Sequence, residues 1–200
     1  MSDNRAVLMV QRFSDGDAPP PVEQPAADRR VFELVADYEY AAPGGRRWMT
    51  IEDVPEGGLA PEATADRVLY EQIVPTKGWL TEEGPTDQGQ FPAGRFVLSV
   101  TMDVLEAGLA EFHGWYDEEH LPALLAVPEI TAARRFRAIG GDLPANGRQR
   151  FLALYEMSND EFLTTEAWAT AAANTPRTER VMVHADWASQ FYRVSDGGPE

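Results

Sequence analysis

From residue 94 onward the alternation of apolar and polar positions is sharp enough to assign elements. GRFVLSVTMDV (94–104) alternates with a period of two, placing Phe96, Leu98, Val100 and Met102 on one face and Val97, Ser99, Thr101 and Asp103 on the other. The apolar face is expected to meet the helices. From about Leu105 to His120 the period changes to that of a helix, with Leu105, Leu109, Phe112, Tyr116 and His120 in one narrow arc and His113 at its edge. EITAARRFRAI and QRFLALYEM read as two strands joined by GGDLPANG; NDEFLTTEAWATAAA reads as a helix and DWASQFYRV as a closing strand.

Upstream the pattern is weaker. RAVLMVQRF, RRWMTIEDV and DRVLYEQIV read as strands, separated by the turn-rich SDGDAPPPVEQP and PEGGLAPEATA. In ADRRVFELVADYEY, Val31, Leu34, Val35 and Tyr38 recur at i, i+3, i+4 and i+7, which predicts a short amphipathic helix. The stretch PTKGWLTEEGPTDQGQFPAG has the composition of a linker and divides the chain into 1–93, a β-α-β-β part plus linker, and 94–200. The second part has the order β-α-β-β-α-β, the ferredoxin-like α+β unit, whose sheet needs a cover on the face without helices. Residues 1–93 are expected to be a degenerate tandem half supplying much of that cover, and a homodimer is the default assembly.

Composition narrows the function. With 17 basic against 33 acidic residues the formal charge is −16, which repels nucleic acid and anionic membrane surfaces. Without cysteine, disulfides, thiolate metal sites and a cysteine nucleophile are excluded. No apolar run approaches the roughly 20 residues of a membrane span, and the first residues lack a basic-then-apolar leader, so a cytoplasmic location is expected. No serine elbow, phosphate-cradling glycine loop or dinucleotide fingerprint occurs.

The candidate chemistry sits in EFHGWYDEEHLPALLAVPEI (111–130). Pro122 is expected to end the helix just after His120. A last-turn position favours imidazolium and burial favours neutral imidazole, leaving the His120 pKa open to either side of neutrality. His113 and His120 lie about 10 Å apart along an ideal helix, too far to share a metal ion, so no metal is expected. His184 is expected in a loop or at a strand edge. Arg135 and Arg137 oppose Arg134 and Phe136, so either parity sends an arginine inward, with Glu156 or Asp103 as its expected partner. Tyr155 and Trp168 are candidate cavity walls. ANTPRTERVMVHADW is expected to be a polar loop at the cavity mouth, carrying Arg177 and Arg180.

The run WYDEEHLPALLAVPEITAARRF resembles the EthD-like branch of the dimeric α+β barrel proteins, in which an aromatic-rich helix ends in His-Leu-Pro and an arginine-bearing strand follows. RFLALYEM and EFLTTEAWATAAANTPRTERV resemble that family's third strand and second helix. The resemblance extends from Gly94 to about Val194. The chain departs from the pattern at His113, where relatives carry Asn or Asp, and at Glu129, where they carry Gly. The resemblance implies a pocket between sheet and helices and identifies His120 as the recurrent histidine, with Trp115 and Tyr116 as its aromatic pair. Members of the wider superfamily include cofactor-independent monooxygenases, isomerases, cyclases and haem-binding enzymes, so the fold alone does not choose a reaction.

The leading expectation is a cofactor-independent lyase, isomerase or decarboxylase acting on a small aromatic or conjugated organic acid. His120 would transfer the proton, assisted by Tyr116 or His113, with Trp115, Arg135, Tyr155 and Arg177 holding the substrate. The alternatives are a cofactor-independent monooxygenase of a phenolic substrate and a non-catalytic small-molecule binder.

Overall fold

Strand pairing accounts for most of the molecule. The structure, a computed structural model of the 200-residue chain, describes residues 8–14, 19, 29–35, 47–54, 67–73, 80–81, 84–85, 95–140 and 150–195. Eight strands form the main sheet: β1 (Leu8–Ser14), β2 (Arg29–Leu34), β3 (Trp48–Val54), β4 (Arg67–Gln72), β7 (Phe96–Val104), β8 (Ile130–Gly140), β9 (Phe151–Met157) and β10 (Ala185–Val194). Between β4 and β8 in sequence, β5 (Leu80–Thr81) and β6 (Gly84–Pro85) form a small antiparallel pair whose first strand meets β8, inside the stretch expected to be a plain linker. The loops expected at 14–25, 55–65 and 140–147 lie almost entirely outside the described residues.

The spatial order is β4-β1-β3-β2-β10-β7-β9-β8, and β4 also pairs with β8, so the sheet closes on itself within one chain. Each quartet, β1–β4 and β7–β10, runs in the order fourth-first-third-second. The two seams are β2–β10, through Phe32–Leu34 and Tyr192–Val194, and β4–β8, through Leu69–Gln72 and Phe136–Gly140. Closure removes the open edges that would otherwise seek another chain.

The helix expected within 27–40 is instead strand β2. Its apolar residues satisfy a helical spacing, yet Val and Phe also suit a strand, and the backbone groups of β2 find partners in β3 and β10. Phe32 is buried in the barrel interior with Ile51, Tyr70, Val97, Phe136 and Leu154. Tyr38, the last residue of the expected stripe, lies outside the described residues.

A second core fills the space between the outer face of β7–β10 and the helices, with Leu98, Met102, Phe112, Tyr116, Tyr155 and Phe191. The β7 alternation falls as the sequence pattern requires: Leu98 and Met102 meet the helices and Val97 faces the barrel interior. Leu105 does not join the stripe; it precedes a 3-10 turn at Glu106–Gly108 and is 64% exposed. Helix α1 (Leu109–Trp115) follows, then a π-helical turn (Tyr116–His120) and α2 (Leu121–Leu125). The expected helix in 159–173 is a 3-10 turn (Glu161–Thr164) and α3 (Glu166–Ala171), and the expected polar mouth loop contains α4 (Pro176–Met182). Its start is a favourable one: Thr175 accepts the Thr178 amide, and proline at the first helical position loses no hydrogen bond. No described helix is long and apolar enough to cross a membrane.

Candidate functional site

Pro122 does not end the helix. Its missing amide and its ring conflict with an ordinary helical turn, and the wider turn at Tyr116–His120 takes up that conflict while the chain stays helical through Leu125. The Leu121 amide bonds the Tyr116 carbonyl, five residues back. His120 is therefore inside a continuous helical segment rather than in a last turn, and no terminal dipole favours its charged form. The wide turn also makes residues five apart into neighbours. His120 stacks on Trp115 with ring centres 4.2 Å apart and planes 22° apart, and meets Tyr116 edge-on at 5.1 Å.

These three rings wall a cavity of about 560 Å³ between the outer face of the sheet and α1–α4. Tyr155, Trp168 and Trp187 add further aromatic surface, and Leu98, Val100, Met102 and Met182 add aliphatic and thioether surface. Volume and lining suit a ligand of two or three fused rings. Burial, with the Arg135 guanidinium nearby, pushes the His120 imidazole down to about 3. It is neutral at cellular pH. Among the described residues its ring nitrogens have no hydrogen-bond partner, and its side chain lines the cavity. Tyr155 donates to the Tyr116 hydroxyl at 3.4 Å, and Tyr116 donates to the Met102 sulfur at 3.4 Å. Burial raises the pKa of both phenols, so both stay protonated.

Arg135 lies behind Tyr116, outside the cavity lining. Its guanidinium is 3.9 Å from the centre of the Tyr116 ring, its Nη1 donates to Asp117 Oδ1 at 2.6 Å, and its Nη2 donates to His113 Nδ1 at 3.1 Å. For Arg135 the partner is Asp117, which reaches over from the helix; Glu156 and Asp103 lie on the opposite parity of the sheet, the parity of buried Arg134. A side chain 2% exposed thus gains a carboxylate, an imidazole lone pair and an aromatic face. Burial and Arg135 both push the His113 pKa down, and accepting at Nδ1 leaves its proton on Nε2. His113 lines a different, smaller recess of about 250 Å³ with Glu71, Gln72, Ile73 and Arg137. His184 is a turn residue before β10; its carbonyl accepts the Leu105 amide.

Arg177 also stays outside the cavity. Its Nη1 meets Glu118 at 2.8 Å and its Nε meets Glu111 at 3.2 Å, tying α4 to α1, with Arg180 adding a 3.4 Å contact to Glu111. Of the residues proposed from sequence, the structure brings His120, Tyr116, Trp115 and Tyr155 together and leaves His113, Arg135 and Arg177 behind the walls.

The sequence reading missed Glu119. It lines the cavity, accepts a short hydrogen bond from Thr175, and ends a chain in which Trp115 Nε1–H donates to Thr178 at 3.1 Å and Thr178 pairs with Thr175 at 3.1 Å. The chain holds the indole on which His120 rests. Its sequence signal was the Thr-Pro helix start, which brings Thr175 and Thr178 to one end of α4.

Neither any family model nor any curated protein matches the chain. Solved structures do. A major regulator of staphylococcal pathogenesis superposes with a TM-score of 0.58 at 9% identity, over 94% of this chain and 99% of that one. An uncharacterized ferredoxin fold protein related to antibiotic biosynthesis monooxygenases, from Listeria monocytogenes 4b F2365, gives 0.56 at 8% identity over 96% and 97%. This is the ferredoxin-like α+β fold. An anthrone oxidase-like protein gives 0.54 at 12% identity over 97% of this chain and 92% of that one. At such identities the likeness concerns the fold, and function has to be argued from the cavity.

Proposed function

We propose that the cavity binds a planar, multi-ring phenol or aromatic ketone and that the chain oxidises it with dioxygen without a cofactor. One observation carries this reading: a neutral imidazole, without a protein hydrogen-bond partner, held against Trp115 inside an aromatic cavity. Such a group offers a lone pair to a phenol or enol hydroxyl. It is a poor base for an ordinary C–H next to a carbonyl, because each unit of pKa mismatch adds about 1.4 kcal/mol to the proton transfer. So weak a base suits the oxygenase better than the lyase, isomerase or decarboxylase expected first.

A methylene between two aromatic rings and activated by a carbonyl is far more acidic. Its enol form gives one electron to dioxygen while its hydroxyl proton follows to the superoxide; the two radicals combine at carbon to a hydroperoxide, which loses water to leave a carbonyl. The balance is R2CH2 + O2 → R2CO + H2O. His120 accepts the hydrogen bond of the enol form and relays its proton toward the peroxide, while Tyr116, protonated and supported by the Tyr155 hydroxyl, turns its own hydroxyl from the Met102 sulfur toward oxygen. The fold shared with an anthrone oxidase-like protein makes anthrones reasonable first substrates. The His-Leu-Pro run that resembles the EthD-like branch supports placing the chemistry at His120.

The test is dioxygen uptake with anthrone and hydroxylated anthrones. We expect one dioxygen consumed per substrate, no hydrogen peroxide released, and at least a tenfold loss in His120→Ala. No uptake above the spontaneous rate, with product formed under nitrogen, would return the assignment to proton transfer; binding without turnover would leave a carrier.

A further inference from the structure

The charge inventory of the cavity runs against the organic acid expected from the sequence. Among the described lining residues, Glu119 is the single one with a formal charge. The two nearby cations are turned away and matched: Arg135 behind the Tyr116 ring by Asp117, Arg177 on the outer side of α1 by Glu118 and Glu111. The His120 imidazole is neutral and adds no positive charge. Thr175 satisfies one Glu119 oxygen; the other has no hydrogen-bond partner among the described residues.

We infer that the cavity selects its ligand by charge, taking neutral and cationic aromatic molecules and rejecting aromatic carboxylates, with Glu119 as the discriminating residue. The ligand then carries a hydroxyl or a protonated nitrogen on the edge that meets Glu119. This deepens the proposed function, since it rests on the same cavity, and it names the substrate class as a neutral or amino-bearing aromatic rather than an acid. The physical cause is desolvation: an entering carboxylate loses its water, meets no cation in the lining, and faces Glu119, whereas an ammonium exchanges its water for a carboxylate among aromatic rings.

The experiment is calorimetric titration with three naphthalenes of one shape at pH 7 and about 0.15 M salt: 2-(aminomethyl)naphthalene, 2-naphthalenemethanol and 2-naphthoic acid. We expect the ammonium to bind at least about tenfold more tightly than the carboxylate, with the alcohol between them. In Glu119→Gln, which keeps an oxygen for Thr175, the ammonium should weaken most, the alcohol less, and the carboxylate should tighten. A carboxylate that binds as well as the ammonium overturns the inference while leaving the cavity reading intact. An unchanged ratio in Glu119→Gln removes Glu119 from the role. Failure of all three, the uncharged alcohol included, overturns the inference and the cavity reading together.

Discussion

His120 shows how far one side chain's surroundings set its chemistry. The unfolded imidazole titrates near 6.5 and the folded one near 3, so the unfolded chain binds a proton first as pH falls. His120 therefore leaves stability intact above about pH 6.5 and lowers it progressively toward pH 3, by up to about 5 kcal/mol. Half-buried His113 shifts in the same direction. In His120→Gln, urea midpoints measured from pH 8 to pH 4 should lose this slope, so wild type and variant diverge on acidification. Parallel curves would mean that His120 is not held neutral. The residue itself was legible in the sequence as the imidazole before Leu-Pro. Its charge state was not, because that depends on Trp115 stacking and on Arg135, which arrives from a strand.

At the scale of elements, α4 is held to α1 from outside the hydrophobic core. Val181 is its one buried residue, with Met182 packed beside it; polar attachments are Arg177 and Arg180 to Glu111 and Glu118, Trp115 to Thr178, and Thr175 to Glu119. Gly114 leaves the slot that the Arg177 guanidinium uses, since a Cβ there would come within 2.8 Å of Nη2. Half-exposed ion pairs contribute little to global stability. In Arg177→Ala the melting temperature should accordingly move little, while release of 2-naphthalenemethanol in stopped-flow quickens, an effect that high salt should reproduce in the wild type. Release unchanged by either would show that α4 does not gate the cavity. The sequence suggested a mouth segment here but read it as loop, because Thr-Pro marks a helix start as readily as a turn. Likewise the spacing of Val31, Leu34 and Val35 fitted a helix, and pairing with β3 and β10 made it a strand.

For the whole molecule, the continuous ring of strands means that no plane separates residues 1–93 from 94–200 without breaking the β2–β10 and β4–β8 seams. Calorimetry should show a single unfolding transition, with calorimetric and van't Hoff enthalpies equal. Two resolved transitions would mean that the seams contribute little. What the sequence by itself determined was the β-α-β-β-α-β order from residue 94, the face of β7 that meets the helices, and the aromatic helix carrying His120. Those are properties of local period and residue type, which neighbours along the chain express directly. The tertiary structure alone decided that the sheet closes within one chain, that Asp117 rather than Glu156 or Asp103 neutralises Arg135, and that Glu119 rather than an arginine supplies the charge in the cavity. Each depends on contacts between segments distant in sequence, where hydrogen-bond completion and the cost of burying an unmatched charge select the arrangement.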